Sequence, residues 1–197
     1  LTKEKIKFGN EDSLVQCNEL LLKLSNNKTF FIDFLNSQLK DNFNLFQSEN
    51  SYNEQSFLLF DCSDFYVRVT YWPKYSSNQK IKSEQDKTFT YNLAHDHNFS
   101  LLTAGYKGEG YWTKIWEYDY EKIIGFSGEK VDMKFLEETN LCEGKAMYYI
   151  PNKDIHLQLP PKSEDSLAIN IILKSYKQFN NKQFDFNIEN KTIKNVI

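Results

Sequence analysis

From Ser56 onward, apolar and polar residues alternate with a period of two, in short runs that stop at turn-forming residues. A two-residue period puts successive side chains on opposite sides of a strand. The runs are SFLLF (56–60), DFYVRVTYW (64–72), KTFTYNLAHDH (87–97), YWTKIWEYDY (111–120), EKVDMKFLE (129–137), GKAMYYI (144–150) and SLAINIIL (166–173). Turn residues separate them at Pro73–Ser77, Gly105–Gly110, Gly125–Gly128, Gly144 and Pro160–Asp165. Gly105–Gly110 reads as a hairpin turn after the 87–97 strand. Many short strands at fairly even spacing predict an antiparallel barrel or sandwich.

Before that region the period is helical. Leu14, Val15, Leu20, Leu21, Leu22 and Leu24 form one apolar stripe. Phe30, Phe31, Phe34, Leu35 and Leu39 form another, after the turn-like SNNK at Ser25–Lys28. Two helices are predicted between Glu11 and about Phe46. The 197 residues divide into a helical segment (1–50), a β region (51–178) and a last strand or tail (179–197), all in one domain. Sixteen Phe and twelve Tyr suit a β-rich core.

Composition also sorts the functions. A net charge of −3 gives no basic face for nucleic acid. Three widely spaced cysteines without a CxxC argue for a reducing compartment. There is no apolar run of membrane-spanning length and no signal-peptide core near the first residues, so a cytoplasmic protein without membrane partners is expected.

Only three histidines occur, and two of them, His95 and His97, stand one residue apart. On a strand, such a pair shares a face. Counting back, Leu93, Tyr91 and Phe89 share it too, so this face is the apolar interior. Imidazoles in an apolar interior need partners. His156, after the PNKD turn and at the start of a strand, is the remaining histidine and a third ligand for a metal ion. Three neutral nitrogen ligands with open positions suit Fe(II), with Ni, Mn, Cu and Zn as alternatives. Asp96, between the pair, points to the other face, toward solvent or a strand-edge hydrogen bond. Tyr91, Tyr106, Trp112, Trp116 and Tyr148 are candidate pocket aromatics, and Glu109 is a candidate for the cavity mouth.

The layout resembles the cupin superfamily, whose first motif runs Gly, HxH, Glu, Gly and whose second carries Pro-x-Gly and then His. His95 and His97 match HxH, and Gly108 matches the later Gly. Leu101 stands where the family usually has its Glu ligand. Pro151 and His156 match the second motif, Lys153 replaces its Gly, and Gly144 is one position off. The resemblance covers about residues 56–175. It implies a mainly β chain: a cupin-like antiparallel β-barrel (double-stranded β-helix) with N-terminal α-helices.

Without the Glu, the site looks like those of three-histidine cupins, above all the thiol dioxygenases of the cysteine dioxygenase type. Those carry an Arg on an earlier strand that binds the substrate carboxylate. Arg68 is this chain's sole arginine and lies on such a strand. Arginine suits two-point carboxylate recognition. The resemblance implies a mononuclear non-haem Fe(II) oxygenase. Its partners would be O2 and a small amino-acid-like or thiol carboxylate, and a homodimer is allowed. His95, His97 and His156 would hold the metal, Arg68 the carboxylate, with Tyr91 and Tyr148 nearby. The Ser-His-Tyr set and the Cys-Tyr crosslink of mammalian-type cysteine dioxygenases are not evident. A metal-binding cupin acting as a small-molecule binder or sensor, and a metal-dependent isomerase or lyase, are the alternatives on the same barrel.

Overall fold

The computed structural model describes residues 5–41, 47–48, 50 and 55–197. Three helices open it: α1 (Glu11–Val15), α2 (Asn18–Ser25) and α3 (Phe30–Asp41). The first of the two predicted helices is broken at Gln16–Cys17, and the stretch from 42 to Phe46 lies outside the described residues. Asn10 starts α1 by accepting a hydrogen bond from the Ser13 backbone N–H, an ordinary N-cap.

The strands are β1 (Ser56–Asp61), β2 (Phe65–Trp72), β3 (Ala94–His95), β4 (Leu101–Lys107), β5 (Trp112–Glu117), β6 (Lys134–Asn140), β7 (Ala146–Tyr149), β8 (Asp154–Leu159), β9 (Ser166–Leu173), β10 (Phe184–Asn187) and β11 (Thr192–Val196). One sheet has the order β1-β2-β9-β4-β7 and the other β11-β10-β3-β8-β5-β6. Every pairing between these strands is antiparallel. From β2 to β9 the chain changes sheet at every step except β5 to β6. Two facing four-stranded sheets, β2-β9-β4-β7 and β3-β8-β5-β6, are therefore wound as a double Greek key. That is the jelly roll of cupins. The fold is mainly β and cupin-like, with α-helices at its N-terminal end.

Burial explains the layers. Phe65, Val67, Val69, Leu102, Ala104, Tyr106, Ile169 and Ile171 face α1–α3 through Leu14, Leu21 and Phe31. The opposite face of the same sheet looks at the second sheet. Strand β9 is covered on both sides, so it reads SLAINIIL with little alternation. On the outside of the second sheet, Ala94, Ile155, Phe184 and Phe186 pack with Tyr118, Val131, Met133 and Ile193. Among the described residues, no helix is long and apolar enough to cross a membrane.

Three expectations are corrected here. Residues 87–97 are not one strand. Asn78 caps a helix, α4 (Gln79–Thr88), by accepting from Lys80 and Ile81 N–H, and α4 buries none of its residues. Thr90 and Asn92 then take positive φ (54° and 61°), leaving β3 only two residues. The alternation is broken, so the faces of Phe89 and Tyr91 cannot be counted back from His95.

Nor is Gly105–Gly110 a hairpin turn. Leu101–Lys107 is β4, a strand the reading missed because its small residues, Thr103, Ala104 and Gly105, blur the period. Strand β4 pairs with β7 and β9, whereas β5 pairs with β6 and β8. The turn after it crosses between sheets. At Gly110 (φ +79°) a Cβ would stand 1.9 Å from the Leu141 carbonyl oxygen, so only glycine fits. The C-terminal stretch, expected as one edge strand and a tail, is a pair: β10 inserts beside β3 and β11 forms the edge.

Candidate metal centre

Short as it is, β3 is held on both sides. His95 is opposite His156 on β8 and opposite Asp185 on β10. The ladder continues beyond the strand, with Asn92 N–H donating to Gln158 O (2.9 Å) and Asp96 N–H to Phe184 O (3.1 Å). Ala94, Ile155, Phe184 and Phe186 occupy the outer face, so His95, His156 and Asp185 share the inner one. His97, just past β3, has its carbonyl fixed by the Asn152 N–H at 2.7 Å.

The three rings converge. Centroid separations are 4.3 Å for His95–His156, 4.6 Å for His97–His156 and 5.1 Å for His95–His97. One nitrogen from each lies within 4.8 Å of the other two, so the trio could hold a metal ion. Three nitrogens on one face of an ion with bonds of ~2.1 Å stand roughly 3 Å apart, so a modest inward turn of the rings closes the site.

The hydrogen-bond inventory fits that ligand set. His95 Nδ1 lies 3.0 Å from the Leu93 carbonyl oxygen, which only accepts. Nδ1 therefore carries the proton and Nε2 keeps its lone pair for a ligand bond. His156 is fully buried, and among the described residues both of its ring nitrogens, like Nδ1 of His97, have no hydrogen-bond partner. Buried polar atoms without partners are costly, and an ion coordinated by these nitrogens would offset that cost.

Burial lowers the pKa of all three imidazoles. For His97 and His156 the neighbouring imidazoles push it lower still, and Arg68 adds to the effect at His97. The trio is neutral at pH 7, which is the form that binds metal.

Arg68 lies on the row Tyr66, Arg68, Thr70, Trp72, opposite the helix-facing Phe65, Val67 and Val69. That row faces the second sheet. The Arg68 guanidinium acts electrostatically on His97 and on Tyr111, which places its charge on the histidine side. Beside it runs a buried polar ladder, with Asn170 Nδ2 donating to Thr70 Oγ1 (2.8 Å) and Thr103 Oγ1 donating to Asn170 Oδ1 (2.5 Å).

The aromatic candidates scatter. Tyr91 packs with Trp72 and Tyr111 at one end of the interior and donates its hydroxyl to Pro73 O. Tyr148 packs on the helix side with its hydroxyl toward Glu11, and Tyr106 donates to Lys28 O on the same side. Trp112 lies under the Lys162 ammonium, and Trp116 packs on the outer face of the second sheet. Glu109 accepts from Lys162 N–H, Ser163 N–H and Ser163 Oγ, tying down the 160–163 turn.

The ring that meets His156 is Tyr149, at a centroid distance of 4.5 Å. Its hydroxyl is 3.3 Å from that of Tyr111, and Phe99 stacks on His97 at 4.3 Å and 15°. In AMYY, alternation would have separated Tyr149 from Tyr148. With apolar material on both sides of the strand, parity alone did not say which tyrosine faces in.

Asp96 does face away from the histidines, but not to solvent. It is fully buried and accepts from Tyr118 Oη (2.6 Å), Phe184 N–H (2.7 Å) and Asn152 Nδ2 (3.5 Å). Burial raises its carboxyl to about 6 despite those bonds. It joins the histidine segment to β10 and to the turn before β8.

No family model and no curated protein matches this chain. Among solved structures, a DMSP lyase from Ruegeria pomeroyi is 10% identical over 60% of this chain and 45% of its own, with a TM-score of 0.33. A cupin protein from Bacteroides fragilis is 13% identical over 63% and 80%, with a TM-score of 0.35. A structure titled as Fe(II)-HppE is 11% identical over 59% and 47%, with a TM-score of 0.34. The aligned part spans less than half of the lyase chain. The cupin-type fold described above stands on strand order, not on these likenesses.

Proposed function

We propose that this protein is a mononuclear non-haem iron oxygenase acting on a small amino-acid-like or thiol carboxylate with O2. The observation that carries the reading is the convergence of three neutral imidazoles, His95 and His156 buried and His97 half-buried, with Arg68 on the inward-facing row of β2 and within electrostatic reach of His97. His95, His97 and His156 would hold the ion. Bound there, Fe(II) supplies open coordination positions and one-electron chemistry toward dioxygen.

The remaining work falls to the chain itself. Arg68 pairs with the carboxylate and sets which substrate atom lies against the histidines. Leu101, Ile115 and Ile172 exclude water from one flank, and Trp72, Tyr111 and Ala168 from another. Tyr149, next to His156, presents a phenol that stays protonated across the working pH range, because burial pushes its pKa well above the usual value. A thiol substrate would keep the balance simple, since R–SH plus O2 gives R–SO2H without an outside reductant.

The test is metal analysis of the purified protein, followed by oxygen uptake against a panel of thiols and amino acids. Uptake that disappears in His97→Ala supports the oxygenase. Full metal occupancy with no uptake across the panel replaces it with a binding or sensor cupin. Turnover under strict anaerobiosis replaces it with an isomerase or lyase.

A further inference from the structure

One carboxylate on the inner face was not among the residues expected from the sequence. Asp185 lies in the middle of β10, between Phe184 and Phe186, which pack outward. It is paired in register with His95, so the two side chains stand on the same face of neighbouring strands. Residues opposite one another across an antiparallel ladder have Cα atoms roughly 5 Å apart. Asn195, Asp185, His95 and His156 thus form a single row running across β11, β10, β3 and β8.

Asp185 is 7% exposed. Asn195 Nδ2 donates to its Oδ2 at 2.9 Å, while Oδ1 is buried and accepts no hydrogen bond among the described residues. The carboxylate acts electrostatically on His95 and favours the imidazole's charged form, as a nearby negative charge must. A buried carboxylate oxygen without a donor is expensive unless something else supplies one.

We infer that Asp185 belongs to the metal site, where its Oδ1 accepts a hydrogen bond from a water or a substrate N–H or O–H seated against the imidazoles and its charge offsets that of a bound dication. The inference rests on the metal-centre reading and adds a residue to it. With Leu101 in the place where a Glu ligand would stand, Asp185 restores a negative charge from another strand. Asn195 turns the carboxylate by holding its other oxygen.

The probe is Co(II), titrated into the metal-stripped full chain and followed by its visible absorption. The variant is Asp185→Asn, which keeps the shape and removes the charge. We expect affinity for Co(II) to fall by about tenfold or more, with an altered absorption envelope. We also expect the metal-free unfolding midpoint to hold or rise, because a buried charge has been removed. Asn195→Ala, which keeps the charge and frees the carboxylate, gives a smaller loss of affinity. An Asp185→Asn protein that binds Co(II) within twofold of the native affinity, with an unchanged spectrum, overturns the inference and leaves the metal centre standing. A native chain that binds no Co(II) overturns both.

Discussion

Acidification of the metal-free protein gives the most demanding check on the histidine site. The three imidazoles have folded-state pKa values below their ordinary 6.5, from burial first; neighbouring imidazoles push His97 and His156 lower still, while the Leu93 carbonyl and Asp185 oppose the shift at His95. A depressed pKa contributes stability that is present above the unfolded value and is lost as pH falls through the folded one. The loss should therefore begin near pH 6.5. Going from about pH 7.5 to 5.5, an imidazole that stays neutral in the fold, as His97 and His156 held well below 6.5 do, costs on the order of 1 kcal/mol relative to the unfolded chain.

Asp96 works the other way. Its carboxyl is raised from 3.8 to about 6, so its cost to the fold is relieved as pH drops. The relief is on the order of 1 kcal/mol by pH 5.5, and Asp154, also raised by burial, adds in the same direction. The histidine cost exceeds that relief, so the fold should lose on the order of 1 kcal/mol, against the 5–15 kcal/mol typical of a domain. Urea unfolding in the presence of a chelator, at the two pH values, measures it directly. His156→Gln should remove a large part of the histidine term, since His156 is one of the two imidazoles held well below 6.5. A urea midpoint that holds steady or rises on acidification would refute the burial argument for the trio.

Two other perturbations separate recognition from architecture. Arg68→Lys keeps the positive charge but loses the planar fork, so KM for a carboxylate substrate should rise at least tenfold with metal content unchanged. Unaltered kinetics would remove Arg68 from the site. Gly110→Ala forces a side chain into a left-handed backbone, 1.9 Å from the Leu141 carbonyl oxygen. It should cost on the order of 3 kcal/mol in denaturant unfolding, and a loss below about 1 kcal/mol would show that the sheet-to-sheet turn can relax.

How much of this was legible in the sequence depended on what each residue's local neighbours could encode. The runs of branched and aromatic residues at 64–72 and 166–173 mark β2 and β9 closely, because such residues pack on both sides of those strands. HxH and the later His156 pointed to one site because imidazoles are so rare in this chain. The strand around His95 was overextended, since FTYNLAHDH alternates well enough on paper. Only the left-handed Thr90 and Asn92 and the cap at Asn78 end that pattern, and backbone sign is not written in polarity. Tyr149 and Asp185 went unnoticed for another reason. Their importance comes from registers with distant strands, β7 against β4 and β10 against β3, which no window along the chain contains.

Strand β10 has a temporal meaning as well. It is synthesised after every other strand that touches the histidines, yet it supplies the whole outer flank of β3. While a ribosome still holds this stretch, the His95 edge has open backbone groups and lacks Asp185. Stable capture of an ion at the proposed site must therefore wait until β10 has emerged and paired with β3. Tags or cleavage near residues 184–196 should disturb metal loading well before they disturb the helix-covered half of the molecule.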